Sequence, residues 1–301
     1  RVIVGELHMD VGVHEDVSWE DYLRLPYMNP STLKSGQRSM RRLKRAIDGE
    51  IYPPAKTVAV GQVTHCILAG EDKERIAVLP EYELDADNMT AGKEKKPPAK
   101  MYTTKGDLSA AGKKWEELCV EHGVDPGKVD SIFVDRVQTD SKATAYYKAS
   151  VASFNALNED KDVVTSFDYR KAQGIVERLQ GHRHCAELVD KSRQEMTIIG
   201  TIEGMKVKTR IDGLWNDGPE WGAWDLKTTS DIAPDAFYRI CRKFGYLFQF
   251  AFHVLALQSC GIQLQSYDII AAEIQDDFDV GVIGVPFNVL DDWGDIVCDV
   301  M

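Results

Sequence analysis

Closely spaced cysteines are missing from this 301-residue chain. Its six cysteines, Cys66, Cys119, Cys185, Cys241, Cys260 and Cys298, are scattered, which argues against a disulfide framework and suits a reducing cytoplasm. The same scatter argues against an iron–sulfur cluster, which needs several cysteines at short spacings, and even the last, Cys298, stands alone. No apolar run approaches the length of a membrane span, so no membrane partner is expected. No basic n-region followed by an apolar h-region appears, so no secretory leader is expected in these residues. Positive charge is also scarce: 36 Lys and Arg stand against 48 Asp and Glu, a formal net charge of −12. That balance weighs against indiscriminate nucleic-acid binding, because phosphate contacts need local cations. No internal repeat is visible.

What is present is ordinary for a globular protein, with 44% hydrophobic and 28% charged residues, and the chain is long enough to bury a substantial core. The scarce cations are unevenly spread. Lys34, Arg38, Arg41, Arg42, Lys44 and Arg45 form a basic island, which fits either a groove lining or a solvated helix face. In chain order, a strand is expected at Val2 to Val4 and a helix after Ser18, which forms a capping box with Asp21. Asn29-Pro30-Ser31 caps a helical stretch that Gly36 interrupts and Ser39 to Ile47 continues, with Gly49 and Pro53-Pro54 as stops. Val58 to Gly70 has helical spacing and places Gly61 one turn before His65. By itself His65 reads as a structural histidine or as a ligand. Residues 80–106 carry Lys93-Glu94-Lys95-Lys96-Pro97-Pro98 and read as an exposed loop. Helices are expected at Asp107 to His122, Asp140 to Leu157 and Phe167 to Val189.

The informative stretch is Val207 to Thr229. Val207-Lys208-Thr209-Arg210-Ile211-Asp212 alternates with the period of a half-buried strand and ends on Asp212. In the next run, Trp221 to Thr229, Asp225 and Lys227 are two residues apart, so they share a strand face about 7 Å apart while Leu226 points into a core. Asn216-Asp217-Gly218-Pro219 between them has strong turn chemistry, so the two runs are expected to pair as a hairpin and bring Asp212 beside Asp225. Gln194-Glu195-Met196 starts a strand that Glu203-Gly204 turns back into the first of these two. After Thr229, Pro234 to Cys260 reads as helix with a weak point at Gly245, Tyr267 to Ile274 and Val280 to Phe287 as strands, and Val289 to Met301 as a closing helix. Two neighbouring carboxylates invite a hard divalent cation, Mg²⁺ above all, and a lysine beside them can orient water or meet developing charge on a phosphoryl group. The same residues also fit a solvated Asp–Lys ladder on an exposed sheet face.

The order of these pieces resembles the PD-(D/E)XK nuclease superfamily, and within it the RecE-type exonucleases, the exonuclease VIII group. The resemblance rests on Gly61-Gln62-Val63-Thr64-His65, Glu195, Arg210-Ile211-Asp212-Gly213, Trp224-Asp225-Leu226-Lys227-Thr228-Thr229 and Tyr246-Leu247-Phe248-Gln249. One position departs from the pattern: His253 stands where the group often has a tyrosine, four residues after the glutamine. The resemblance implies Asp212, Asp225, the main-chain carbonyl of Leu226 and His65 as metal ligands. It implies Glu195, Asp212, Asp225 and Lys227 as the catalytic set, and Gln249 as a substrate contact. Tyr246 and Arg239, nearby in sequence, are candidate phosphate contacts.

The fold expected is α/β: a central mixed sheet flanked by helices, like the restriction-endonuclease core, with a helical N-terminal elaboration. A single nuclease domain is expected over 1–301, with 1–190 mostly helical and 191–301 holding the core sheet and its covering helices. The resemblance further implies Mg²⁺-dependent hydrolysis of linear double-stranded DNA from the 5′ end to leave 3′ single strands for recombination, with Mn²⁺ as a substitute cation. It also implies a ring-shaped homo-oligomer and a single-strand annealing protein as partner. An endonuclease or other-polarity nuclease of the same superfamily, a non-catalytic DNA-binding protein, and an α/β protein with a charged hairpin are the alternatives.

Overall fold

A computed structural model describes residues 7–37, 39–48, 60–79, 151, 154–275 and 278–301. The strand expected at Val2 to Val4, Arg38, the Gly49 and Pro53-Pro54 stops, the 80–106 loop, the helix over Asp107 to His122 and most of that over Asp140 to Leu157 lie outside the described residues. The chain divides into two compact units, Arg1–Thr57 with Gly174–Met301, and Val58–Gln173.

The first unit is built on a six-stranded mixed sheet. Its strands are β1 (Gly12–His14), β4 (Arg193–Ile202), β5 (Met205–Asp217), β6 (Glu220–Thr229), β7 (Leu264–Glu273) and β8 (Val280–Gly284), lying side by side in that order. β4, β5 and β6 form an antiparallel meander. The turns are those the sequence asks for: Glu203-Gly204 and Gly218-Pro219 link the strands, with Glu203, Gly204 and Gly218 at positive φ. β6 and β7 are parallel, so the chain must cross over between them. That crossover is the helical stretch expected from Pro234 on, broken at Gly245 (φ 68°) into α8 (Pro234–Phe244) and α9 (Tyr246–Ser259).

Helix α9 is apolar nearly all round, and it buries Phe248, Phe250, Phe252, Ala251 and Leu257 between the sheet and the closing helix α10 (Phe287–Val300). Gly200 on β4 allows this approach, since a Cβ there would sit 2.8 Å from the Ala256 carbonyl oxygen. At the start of the chain, α1 (Trp19–Arg24) is capped by Ser18, whose hydroxyl accepts the Asp21 N–H at 3.0 Å. α2 (Pro30–Leu33) is capped by Asn29 and α3 (Met40–Ile47) by Ser39. α3 carries Arg41, Arg42, Lys44 and Arg45, all exposed, around a single buried Leu43.

The second unit contains α4 (Val60–Leu68), α5 (Asp72–Arg75) and two short parallel strands, β2 (Ile76–Leu79) and β3 (Asp162–Thr165). Val63, Cys66, Ile76, Val164 and Ala172 make its apolar cluster. One expectation fails in its detail. The stretch from Phe167 to Val189 is two helices, α6 (Ser166–Gly181) and α7 (Arg183–Lys191), not one. His182 is extended between them, and its ring nitrogen takes the Cys185 N–H at 3.4 Å as an N-cap. A side-chain acceptor outside the periodic apolar set thus ends one helix and starts the next. Among the described residues, no helix is long and apolar enough to cross a membrane.

Candidate metal centre

Gly213 pairs with Trp224 at the inner end of the β5–β6 ladder. Beyond that pair a side chain replaces a backbone partner: the Leu226 N–H donates to Asp212 Oδ2 at 2.6 Å. This bond pins Asp212 against the strand that carries Asp225. The glycine is required, because a Cβ at Gly213 would lie 2.1 Å from the Trp224 indole, which is itself anchored by donating from Nε1 to Ser192 Oγ at 2.8 Å.

Asp225 is fully buried. Its Oδ1 receives the Lys227 ammonium, and its Oδ2 has no hydrogen-bond partner among the described residues. Lys227 in turn is held over the rings of Tyr246 and Phe250 on α9, at 5.0 and 5.6 Å. Behind Asp225, the Nδ1 of the buried His253 lies 3.8 Å from Oδ2 and 2.7 Å from the Tyr267 hydroxyl on β7.

Glu195 reaches the same place from β4. The pairs Gln194↔Gly213 and Met196↔Ile211 flank it and set it opposite Asp212, with carboxylate oxygens of the two residues within 4.8 Å. Its backbone is left-handed (φ 54°), a conformation that costs a non-glycine residue of the order of 1 kcal/mol and is tolerated where surrounding contacts impose it. One such contact is Arg210, whose guanidinium pairs with Glu195 Oε2 at 2.7 Å.

The electrostatics follow from crowding acids out of water. Burial, and then the Asp225 charge, hold the Asp212 carboxyl well above the usual carboxylate range, against the pull of Lys227 and the Leu226 N–H. Burial also works against the Lys227 ammonium, but Asp225 and Asp212 outweigh it and raise Lys227 above an ordinary lysine. Burial pushes His253 down to about 4, so its ring is neutral at pH 7. Burial raises Tyr246 and, with the two aspartates, Tyr267. Three carboxylates, one with a buried oxygen that has no hydrogen-bond partner among the described residues, form a donor set suited to a hard divalent cation.

The structure therefore brings together Glu195, Asp212, Asp225, Leu226 and Lys227. Tyr246 joins them as the ring under Lys227. Gln249 is half-buried in the first turn of α9, and Arg239 is exposed on α8. His65 is half-buried on α4 in the second unit. Arg210 is a site residue that the sequence motifs do not single out, although strand alternation puts it two residues from Asp212. His253 stands out in the sequence only as a departure from the family pattern, although a spacing of four from Gln249 gives the two a common helix face. Tyr267 had no local signal at all, because only the parallel β6–β7 pairing sets it beside the site.

A family model described as a PDDEXK-like domain of unknown function (DUF3799) matches residues 128–301, more than half of the chain. Among solved structures, a presumed exonuclease from Eubacterium rectale is similar at 14% identity and a TM-score of 0.49, over 95% of this chain and 84% of that one. A protein described as SSO0001 is similar at 10% identity and a TM-score of 0.25, over 52% of this chain and 68% of that one. No curated protein matches.

Proposed function

The chain belongs to this PDDEXK-like family, and on that premise we propose that it is a metal-dependent exodeoxyribonuclease of the RecE type. The observation that carries the metal-dependent part is the buried Asp225 Oδ2, which has no hydrogen-bond partner among the described residues while Lys227 holds the other oxygen. A buried carboxylate oxygen without a donor is costly unless a cation meets it. Asp212, Asp225, Glu195 and the Leu226 carbonyl are the proposed ligands for Mg²⁺, with Mn²⁺ able to substitute. His65 is proposed as a further ligand by the sequence resemblance.

When bound, the cation supplies Lewis-acid stabilisation of phosphoryl charge and a water acidic enough to attack at neutral pH. The protein's own part is positional. Lys227, kept charged by the two aspartates and fixed over Tyr246 and Phe250, orients the attacking water and meets the negative charge that develops on the phosphoryl oxygens. Arg210 holds Glu195 toward Asp212, and the surrounding rings keep bulk water from screening these charges. Tyr246, Gln249 and Arg239 are the proposed substrate contacts.

The substrate proposed is linear double-stranded DNA, degraded from the 5′ end in the cytoplasm to leave 3′ strands for recombination. A ring-shaped homo-oligomer and a single-strand annealing partner belong to the same reading, carried by the resemblance. The test is digestion of 5′-labelled linear duplex beside closed circles in Mg²⁺. Linear DNA is expected to be shortened and circles spared, with Asp225→Ala and Lys227→Ala each slower by a hundredfold or more, an order of magnitude typical for loss of a charge-stabilising group. Undiminished cleavage by both variants would remove the site assignment, and cleavage of circles would remove the exonuclease reading.

A further inference from the structure

The chain carries 48 Asp and Glu, yet two long stretches hold none of them: Tyr22 to Ile47 and Ala236 to Tyr267. The structure joins the two. Lys34, from the first, lays its stem along Gly245, where a Cβ would stand 2.6 Å from the lysine Cδ, and donates from Nζ to the Phe244 carbonyl at 2.9 Å. Its ammonium thereby meets the negative end of α8. The last turn of that helix exposes Arg242, Lys243 and Phe244. A locally cationic surface therefore stands on a chain of net charge −12.

Phe244 is 49% exposed. A solitary exposed phenylalanine needs no explanation, but this one is the outer member of a stack. Its ring lies against Tyr246, with centroids 5.9 Å apart and planes inclined by 24°, and Tyr246 in turn lies under the Lys227 ammonium at 5.0 Å. Only one ring separates Phe244 from the lysine of the metal centre. On the outer side, the Lys243 ammonium lies 5.3 Å from the Phe244 ring. Rings interleaved with cations suit a nucleic-acid strand, because bases stack on the rings while phosphates take the cations. A base within a duplex is already stacked on both faces, so the base that uses this ring is unpaired.

We infer that Phe244 is a base-stacking contact: an unpaired base, a short way along the DNA strand from the phosphate at the metal centre, lies on its ring, and Arg242 and Lys243 meet the phosphates beside it. The inference rests on the nuclease reading above and names the part of the substrate that this surface takes.

The experiment measures binding of the full chain in EDTA, by fluorescence anisotropy, to a short oligothymidylate and to a tract of equal length whose sugars lack bases. Phe244→Leu and Phe244→Met keep apolar bulk at this exposed position without a ring. Each is expected to bind oligothymidylate about tenfold more weakly, an ordinary loss for one stacked base, and to bind the baseless tract like the parent. Phe244→Trp restores a ring and is expected to bind both tracts like the parent. Lys243→Gln is expected to weaken both alike, since a phosphate contact does not depend on the base. Equal losses on the two tracts for the Leu and Met variants, or no loss on either, overturn the stacking contact. Digestion of linear duplex in Mg²⁺ separates the two readings. If the parent digests it and Asp225→Ala does not, while the Leu and Met variants bind oligothymidylate like the parent, the stacking contact alone fails. If the parent neither digests duplex nor binds either tract, the nuclease reading fails and this inference with it.

Discussion

Gly213 shows how much of the site depends on a side chain that is absent. The Trp224 indole occupies the space where a Cβ would go, and Trp224 is 1% exposed and hydrogen-bonded to Ser192, so it cannot swing aside cheaply. Gly213→Ala is therefore expected to cost about 2–3 kcal/mol, as overpacking of a closed core does, measured by urea unfolding in EDTA. A loss under about 0.5 kcal/mol, the range of a neutral surface change, would mean that the strands adjust freely there. Glu195 makes the complementary point: a side chain can be placed by strain. Its left-handed backbone and its pair with Arg210 bring an acid that reads as a solvated strand end into a half-buried cluster.

At the level of elements, Lys208 ties α1 to the sheet. Its ammonium donates to the carbonyls of Tyr22, Leu23 and Leu25 at 2.8, 3.4 and 2.6 Å and lies over the Tyr22 ring, so it closes the C-terminal end of that helix as a cation should. Burial pulls its pKa down to about 8, against about 10.5 for an unfolded lysine. Between those values the unfolded chain binds more protons than the folded one, so stability rises with pH across that window and is lowest below it. Lys208→Met lacks that slope. The stability difference between parent and variant is expected to grow in the parent's favour from pH 8 to pH 10, measured by chemical unfolding at each pH, and a flat difference would show that the ammonium is not desolvated. Helix caps such as Ser18 and Asn29 were legible because they act within one turn. The break at His182 was not, because an imidazole acting as cap carries no periodic signal.

For the molecule as a whole, the question is how a chain of net charge −12 would hold a polyanion. The exposed cations of α3 offer a local answer, since affinity for DNA follows the phosphates neutralised and not the total charge. Reversing Arg41, Arg42 and Arg45 to Glu is expected to weaken duplex binding and flatten its salt dependence, measured by fluorescence anisotropy in EDTA at several salt concentrations. Unchanged affinity would leave α3 as a solvated face. The proposed ring is open to sedimentation, where the mass of a single chain would remove it.

The sequence by itself determined the ingredients. Alternation marked β5 and β6, turn residues placed Gly218 between them, and two-residue spacing set Asp225 and Lys227 on one face, because each is a property of a few consecutive residues. Apolar content marked α9 as a covering helix, and Gly245 marked its start. Only the tertiary structure decided the company these residues keep. Strand register put Glu195 opposite Asp212, the splayed end of the β5–β6 ladder let the Leu226 N–H reach Asp212, and the parallel β6–β7 pairing brought Tyr267 behind Asp225. Those contacts join residues distant in sequence, and their partners are fixed by how strands pair and how closely a helix can approach them, which no local pattern records.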